Sequence, residues 1–396
     1  MQDHVLVVNC GSSSIKLALY GPEDRPIASA LAENLGTAEA RATIRTNEKT
    51  AIALPDHSDH EQGLAAIIDW LEANRMLQSA PGAVGHRVVH GGERFSESVV
   101  IDEAVTDAIE ECADLAPLHN PVNLTGIRAM QSLYPNVTQV AVFDTAFHQT
   151  LPSHAYLYAL PRHWYEDWGV RRYGFHGTSH ACMLQTLSGR LKQPSRSTSL
   201  ISAHLGNGCS ITAIEQGQSV DTSMGLTPLE GLIMGTRSGD VDPGLFDFLQ
   251  RKGLDPTTIN QTLNRESGLR GLSGKTNDMR ALEQASLDGD EHATVAIEAF
   301  CFRLARYIGA MMASLTHCDG LVFTGGIGEN SVRVREKTVA RLAMLGFTLD
   351  PERNRSHGDG QQGAIHADGS HPVYVIPTDE EGMIAADART LGAQNV

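Results

Sequence analysis

The sequence reads as an α/β protein built from two related halves. Apolar strand-like runs alternate with helical stretches along all 396 residues, the pattern that α/β layers leave in a chain. The opening segment VLVVNCGSSSIKLALY (5–20) returns as SLISAHLGNGCSITAI (199–214); each is an apolar strand, a polar residue, a turn of small residues and another apolar strand. Gly11 and Gly206 stand 195 residues apart, close to half the chain. Turn composition and spacing therefore agree on an internal duplication. At roughly 100–200 residues per domain, the length fits two or three domains.

Taken in order, VLVVN (5–9) is a buried strand, CGSS a turn and SIKLALY (14–20) a second strand. So short a connection cannot carry a parallel crossover, which makes this a hairpin. A helix near 61–75 follows, then a strand around 83–90 that runs into a Gly-Gly loop. The strand VTQVAVF (137–143) stops at Asp144, and past Pro152 the chain turns to aromatic, Pro-containing loop before a helix from about 179 to 192. After the repeated hairpin, the most hydrophobic helical stretch is about Val295–Leu315, interrupted by Glu298, Arg303 and Arg306. A bilayer span needs about 20 uninterrupted apolar residues, so this is a core helix. Two strand–loop–helix units close the chain: LVFT, GGIGEN and a helix from about 331, then VYVI, PTDEE and a terminal helix.

Composition narrows the function. With 41% apolar and 20% charged residues, 38 Gly and 16 Pro, the chain is an ordinary globular protein and not a disordered, collagenous or coiled-coil one. Aromatics are only 5%, so the cores are aliphatic. Thirty-one basic against 47 acidic residues give a net charge of −16. Such a chain repels polyphosphate and anionic lipid, which argues against nucleic acid and membranes as partners. Any anion it binds must meet a few locally placed cations. The six cysteines, Cys10, Cys112, Cys182, Cys209, Cys301 and Cys318, form no C-x-x-C pair and read as free thiols in a reducing compartment. The start Met-Gln-Asp-His lacks a basic leader, so the expected location is cytoplasmic.

Two motifs are decoys. GLRGLSGKT (268–276) leaves five residues, not four, between Gly268 and Gly274, and LNRES precedes it instead of a strand; it fails as a P-loop. His176-x-x-x-His180 has a zinc pair's spacing but no accompanying glutamate, and it starts in a Gly-containing turn. What remains is a pair of small-residue turns, NCGSSSIK (9–16) and HLGNGCS (204–210). Each can offer backbone N–H groups and hydroxyl or amide side chains to phosphate oxygens, with Gly allowing close approach. Singly they are more often plain hairpin turns; as a duplicated pair they favour a nucleotide-clasping ATPase. HRVVHGGERF (86–95) places Arg87 on a strand running into a Gly-Gly loop, and MGTRSGDVDPG (234–244) places Arg237 in a loop dense with Gly and Asp. Arginine in such loops is usually solvated, yet a planar guanidinium matches phosphate and carboxylate two-pronged. Asp144, Glu380 and Glu381 are candidate oxygen ligands for Mg2+, or simply caps and surface charges.

In this order VNCGSSSIK, GHRVVHGGE, PLHNP, FDTAFH, RRYGFHGTSH, HLGNGCS, DTSMGLTPLEGLIMGTRSGDVDP, GGIGEN and PTDEE resemble the acetate kinase family over essentially the whole chain. The resemblance implies a duplicated actin-like (ribonuclease H-like) ATPase fold of the sugar-kinase and Hsp70 type, with two domains around a nucleotide cleft. It places an N-terminal domain at 1–148, joined by the terminal helix 382–396, and a C-terminal domain at 149–381 holding the adenosine pocket and the homodimer interface. It implies Mg2+, with Mn2+ as a substitute, and ATP or ADP with acetate or acetyl phosphate as substrates. Asn9, Ser12, Ser14 and Lys16 fall in the first phosphate loop, Asn9 and Glu380 near the metal. His204, Leu205, Gly206, Asn207 and Gly208 fall in the second. Arg87, Arg237 and His176 would grip the reacting groups, with Asp144 organising Mg2+ and His119 close by. Asp278, Met279 and Arg280, with Gly326, Ile327, Gly328, Glu329 and Asn330, would hold adenosine. Val89, Leu118, Phe175 and Pro228 would enclose the methyl of acetate.

Three residues depart from the family pattern: Met279 where an aromatic or Leu is usual, Cys209 for Ser or Ala, and Asp379 for Asn. The last leaves open which of Asp379, Glu380 and Glu381 meets the metal. The chemistry suits the residues. A carboxylic acid with a pKa of about 4–5 is already an anionic nucleophile at neutral pH, so no general base is needed. Cations must instead offset the repulsion between two anions. The rival expectations are a propionate kinase of the same family, disfavoured because Val89 stands where Ala leaves more room, and a non-catalytic nucleotide switch of actin or Hsp70 type.

Overall fold

Strand β1 (Val5–Gly11) pairs antiparallel with β2 (Ser14–Tyr20), Gly11 opposite Ser14, so the opening segment is the hairpin its short turn requires. The computed structural model describes residues 4–23 and 25–394; the leaderless start read at Met1–Asp3 and the last two residues of the terminal helix expected at 382–396 lie outside them. Around β1 and β2 grows an eight-stranded sheet with β3 (Pro26–Glu33), β4 (Arg41–Arg45), β5 (Lys49–Ala53), β6 (Ala83–Val88), β7 (Val99–Val100) and β8 (Thr138–Phe143). Its order is β5-β4-β3-β2-β1-β6-β8-β7. Strands β6 and β8 run parallel to β1, and β2 to β5 form an antiparallel meander. The meander from β3 to β5 carries small and polar residues (ASALAE, RATIR, KTAIA) with weak alternation, which is why the sequence did not announce it.

Alternation along β1 supplies two cores, because successive strand residues point to opposite faces. Leu6 and Val8 join Ile15, Leu17, and Leu64, Ile67, Ile68 and Leu71 of the helix His60–Ala73. That helix begins at a capping box in which Asp59 and Gln62 satisfy each other's backbone N–H groups. Val5 and Val7 face the other way, packing with Ala83, Val140 and Val142 against Ile384, Ala385 and Ala388 of the final helix Glu380–Gln394.

The second sheet comprises β9 (Leu200–Leu205), β10 (Cys209–Glu215), β11 (Gln218–Thr222), β12 (Gly320–Thr324) and β13 (Val373–Val375), in the order β11-β10-β9-β12-β13. β9–β10 and β10–β11 are antiparallel, β9–β12 and β12–β13 parallel. This repeats β3-β2-β1-β6-β8 strand for strand and direction for direction, the duplicated actin-like arrangement. The core helix runs Glu291–Ala313 and the helix before β9 runs Gly177–Leu191. GGIGEN, expected as a loop, is instead a one-and-a-half-turn helix, Gly325–Asn330, followed by a second helix at Val332–Ala340. Gly325 enters it at φ +75°, a conformation that favours glycine, and Glu329 Oε1 accepts from the Gly325 N–H at 3.0 Å.

By contact density the chain divides into one unit running to Gln149 and resuming at Asp379, and another from Thr150 to Thr378. Among the described residues no helix is long and apolar enough to cross a membrane, and no two cysteines are joined in a disulfide.

Candidate active site

In the first unit the end of β6 delivers Arg87 and the end of β8 delivers Asp144. Arg87 Nε donates to Asp144 Oδ1 at 2.9 Å and Nη2 to Oδ2 at 2.7 Å. The Asp144 side chain is 2% exposed and that of Arg87 24%. The carboxylate raises the guanidinium pKa above its ordinary value against the opposing effect of burial. Two of five N–H donors are thus engaged, leaving three for an anion. The loop after Arg87 is held from the helix Asn120–Leu133: Asn123 Oδ1 accepts from Val89 N–H while its amide donates to Cys10 O, the end of β1. Asn120 does the same for His90, accepting from its N–H and donating to its carbonyl. These two buried asparagines lie in the PLHNPVN stretch but were not singled out from sequence; their role emerges only from contacts 30 or more residues away. His119 is the N-cap of that helix without a side-chain capping bond, and Leu118 beside it is 51% exposed.

Of the other first-unit candidates, Ser12 and Lys16 are exposed, and Asn9 and Ser14 half-buried, along the β1–β2 hairpin. At the final helix, Asp379 Oδ1 accepts from Gly382 N–H at 2.9 Å. Asp379 is therefore a helix cap, one of the uses a carboxylate has at such a position. Burial raises the Glu381 pKa, opposed by the charge of Lys16.

In the second unit the turn Gly206–Gly208 joins β9 to β10, with Gly206 N–H donating to Gly208 O. Cys209 packs beneath it, its thiol donating to Gly206 O and its pKa pushed up to about 12 by burial; it is a structural residue. Asn207 is fixed at two points: its carbonyl accepts from Gly235 N–H at 2.9 Å, and its Oδ1 accepts from Asn277 Nδ2 at 2.8 Å. His176 stands at the N-cap of the helix Gly177–Leu191 with φ +57°. Its ring stacks on His204, centroids 4.3 Å apart, and its Nδ1 lies 2.9 Å from Ser210 Oγ. Phe175 beside it is buried.

Arg237 donates through Nη1 to Pro228 O at 2.6 Å. A Cβ placed on Gly208 would lie 2.4 Å from Arg237 Nη2 and 3.4 Å from His176 Nε2, so both groups look onto the space that glycine leaves. The loop carrying Arg237 is backed by the P-loop decoy. Ser267 N–H donates to Thr236 O, Leu269 N–H to Met234 O and Arg270 N–H to Gly235 O, at 3.0, 2.8 and 3.0 Å. Gly268 sits at φ +62° where a Cβ would meet Met234 O at 2.2 Å. That glycine serves a scaffold, not a phosphate.

A cavity of about 650 Å3 opens beside this turn, lined by Gly206 and Asn207, by Asp278, Met279 and Arg280, and by Gly326, Ile327 and Asn330. Three separate stretches of sequence meet there. Glu283 and Ser331, not anticipated, close one side with a 2.5 Å hydrogen bond from the Ser331 hydroxyl. Asp278 caps the helix Met279–Leu287 and receives the Arg280 guanidinium, which lowers its pKa. Gly328 and Glu329 are held by Arg335, a fully buried arginine that donates to both their carbonyls. Among the described residues no three His, Cys, Asp or Glu side chains gather into a ready metal cage.

A sequence profile described as the Acetokinase family matches residues 4–386. Over 388 residues the chain is 51% identical to an acetate kinase of Deinococcus radiodurans, covering 98% of this chain and 97% of that relative. Among solved structures it is similar to a propionate kinase from Francisella tularensis, with a TM-score of 0.94 and 43% identity over 98% of this chain and 100% of that one. It is also similar to Porphyromonas gingivalis acetate kinase, at 0.92 and 43% over 98% and 99%.

Proposed function

The chain belongs to the acetokinase family, and from that premise we propose that it is an acetate kinase, moving the γ-phosphoryl group of ATP reversibly onto acetate. The observation that carries the reading is the convergence of Arg237 and His176 over Gly208, on a turn whose Gly206 and Asn207 line a nucleotide-sized cavity. Acetate arrives ionised, so its oxygen attacks phosphorus directly and ADP leaves with the bridging oxygen. The barrier is charge repulsion. Arg237, the three unengaged N–H groups of Arg87, His176 and Lys16 are assigned to the anionic oxygens, where preorganised donors act most strongly. Asp144 is assigned to holding Arg87 and, with Glu380, to organising Mg2+. Ser12, Ser14 and the 204–208 turn bind phosphate, and the cavity takes adenosine. Val89, Leu118, Phe175 and Pro228 receive the methyl group, and His119 supports that region. Mg2+ fits the hard oxygens of Asn9 and Glu380, and would neutralise phosphate charge.

We further assign the protein to the cytoplasm as a homodimer. The helix Gly244–Arg251 buries none of its residues and exposes Phe246 and Phe248, an apolar face that suits a second copy. Trapping of acyl phosphate as hydroxamate, with acetate, propionate and butyrate compared, tests the activity. One methylene is worth about 1–3 kcal/mol, so acetate should lead propionate by a partial margin. Equal or greater turnover of propionate would shift the assignment to a propionate kinase, and no acyl phosphate at all would leave a nucleotide switch. Arg237→Ala should keep the fold and lose most of kcat; activity within a few-fold of the parent would remove Arg237 from the site.

A further inference from the structure

Behind His176 runs an unbroken line of hydrogen bonds. His176 Nδ1 is 2.9 Å from Ser210 Oγ, Ser210 Oγ is 2.8 Å from His180 Nε2, and His180 Nδ1 is 2.8 Å from Ser202 Oγ. Ser210, His180 and Ser202 are each 0% exposed. A neutral imidazole carries one ring proton and a hydroxyl one, so each link has a direction. Among the described residues the Ser210 hydroxyl has only these two ring nitrogens as partners, so it accepts from one ring and donates to the other. The line can therefore point toward His176 or away from it.

Ser202 decides the direction. Among the described residues its hydroxyl has one hydrogen-bond partner, His180 Nδ1. Were the ring to donate, the Ser202 proton would be buried with no acceptor, the costlier arrangement. With Ser202 donating, His180 Nδ1 is bare and Nε2–H donates to Ser210. The Ser210 hydroxyl then donates to His176 Nδ1, and the remaining ring proton of His176 lies on Nε2. That is the edge facing Gly208 and Arg237 Nη2.

We propose that Ser202, His180 and Ser210 are positioning residues that hold His176 as its Nε2–H tautomer. The ring thus meets an anionic oxygen as a donor and offers no base at that atom. The consequence for turnover rests on the proposed reaction; the tautomer itself does not. Long-range 1H–15N correlation spectra of 15N-histidine-labelled full-length protein read it directly, with a His176→Gln variant assigning the ring. The expected result is an Nε2–H pattern for His176 in the parent and a mixture of tautomers in Ser210→Ala. In that variant kcat should fall about tenfold or more, the loss seen when the group that orients a metal-ligating histidine is removed, with KM for ATP and acetate within about twofold. Ser210→Thr, which restores the hydroxyl, should recover both spectrum and rate. Ser202→Ala, which touches no residue assigned to the substrates, should shift the spectrum in the same sense. An Nδ1–H pattern in the parent, or unchanged spectra in both alanine variants, would overturn the proposal. A shifted tautomer with an unchanged rate would uphold it and remove His176 from the reaction.

Discussion

Arg87 and Asp144 answer each other so completely that neither is understood alone. Both oxygens of a buried carboxylate accept from one guanidinium, and removing one partner of such a pair strands the other charge, at a cost of about 3–5 kcal/mol. Asp144→Asn keeps the shape but loses the charge. It should lower the melting temperature and reduce kcat by about a hundredfold or more, since an arginine that drifts no longer meets the transferring group. Parent-like kcat and melting temperature in that variant would show the pair to be idle. His86, one residue earlier, faces the opposite side of β6 and donates to Gln139 Oε1 at 2.7 Å. Burial pulls its pKa down to about 4 from an ordinary 6.5. Below pH 6.5 the unfolded chain takes up a proton that the folded one refuses, so stability falls as pH drops and levels off near pH 4. The full effect is about 3 kcal/mol. Urea unfolding at pH 7 and pH 4.5 should show the loss, and His86→Gln should lessen it; an equal loss in the variant would place the acid sensitivity elsewhere.

At the scale of elements, the strands and helices with strong periodicity were legible in sequence, and those held by distant contacts were not. The hairpins at 5–20 and 199–214 announce themselves because a small-residue turn between apolar runs has few other uses. The helix His60–Ala73 follows from its apolar spacing. The meander β3 to β5 and the helical form of GGIGEN were not legible: the first has weak alternation, and the second depends on Glu329 reaching back to cap Gly325. Candidate site residues divide the same way. Those in glycine-rich turns and loops stand out by composition, whereas Asn120, Asn123 and Asn277 act through backbone or side-chain partners far off in the chain. Residues 267–270 show the point most sharply, because a stretch that imitates a phosphate loop supports the Arg237 loop instead. Gly268→Ala should therefore lower kcat and stability together, since its Cβ would strike backbone, while leaving affinity for ADP within about twofold. A selective loss of nucleotide affinity would restore the phosphate-loop reading.

The whole chain uses one sheet order twice and elaborates it differently, with a longer meander in the first unit and more helices in the second. The net charge of −16 is background to this plan; the cations proposed to meet the substrates are few. The first unit is also discontinuous, because its sheet takes the final helix Glu380–Gln394 across the face formed by Val5, Val7, Ala83, Val140 and Val142. Uncovering the four valines, at about 1.5–3 kcal/mol each when fully buried, costs about as much as the 5–15 kcal/mol that keeps a domain folded. A chain ending at Asp379 should accordingly lose the first unit's slow-exchanging amides. The second unit, with its own sheet and the 23-residue helix Glu291–Ala313, should keep most of its protection. Ile384→Ala offers a graded version: the side chain is 1% exposed, and its truncation should cost about 2–5 kcal/mol, localised by hydrogen exchange to β1, β6 and β8. Protection spread evenly over both units, or retained in β1 of the shortened chain, would mean that the first sheet holds its fold without the final helix.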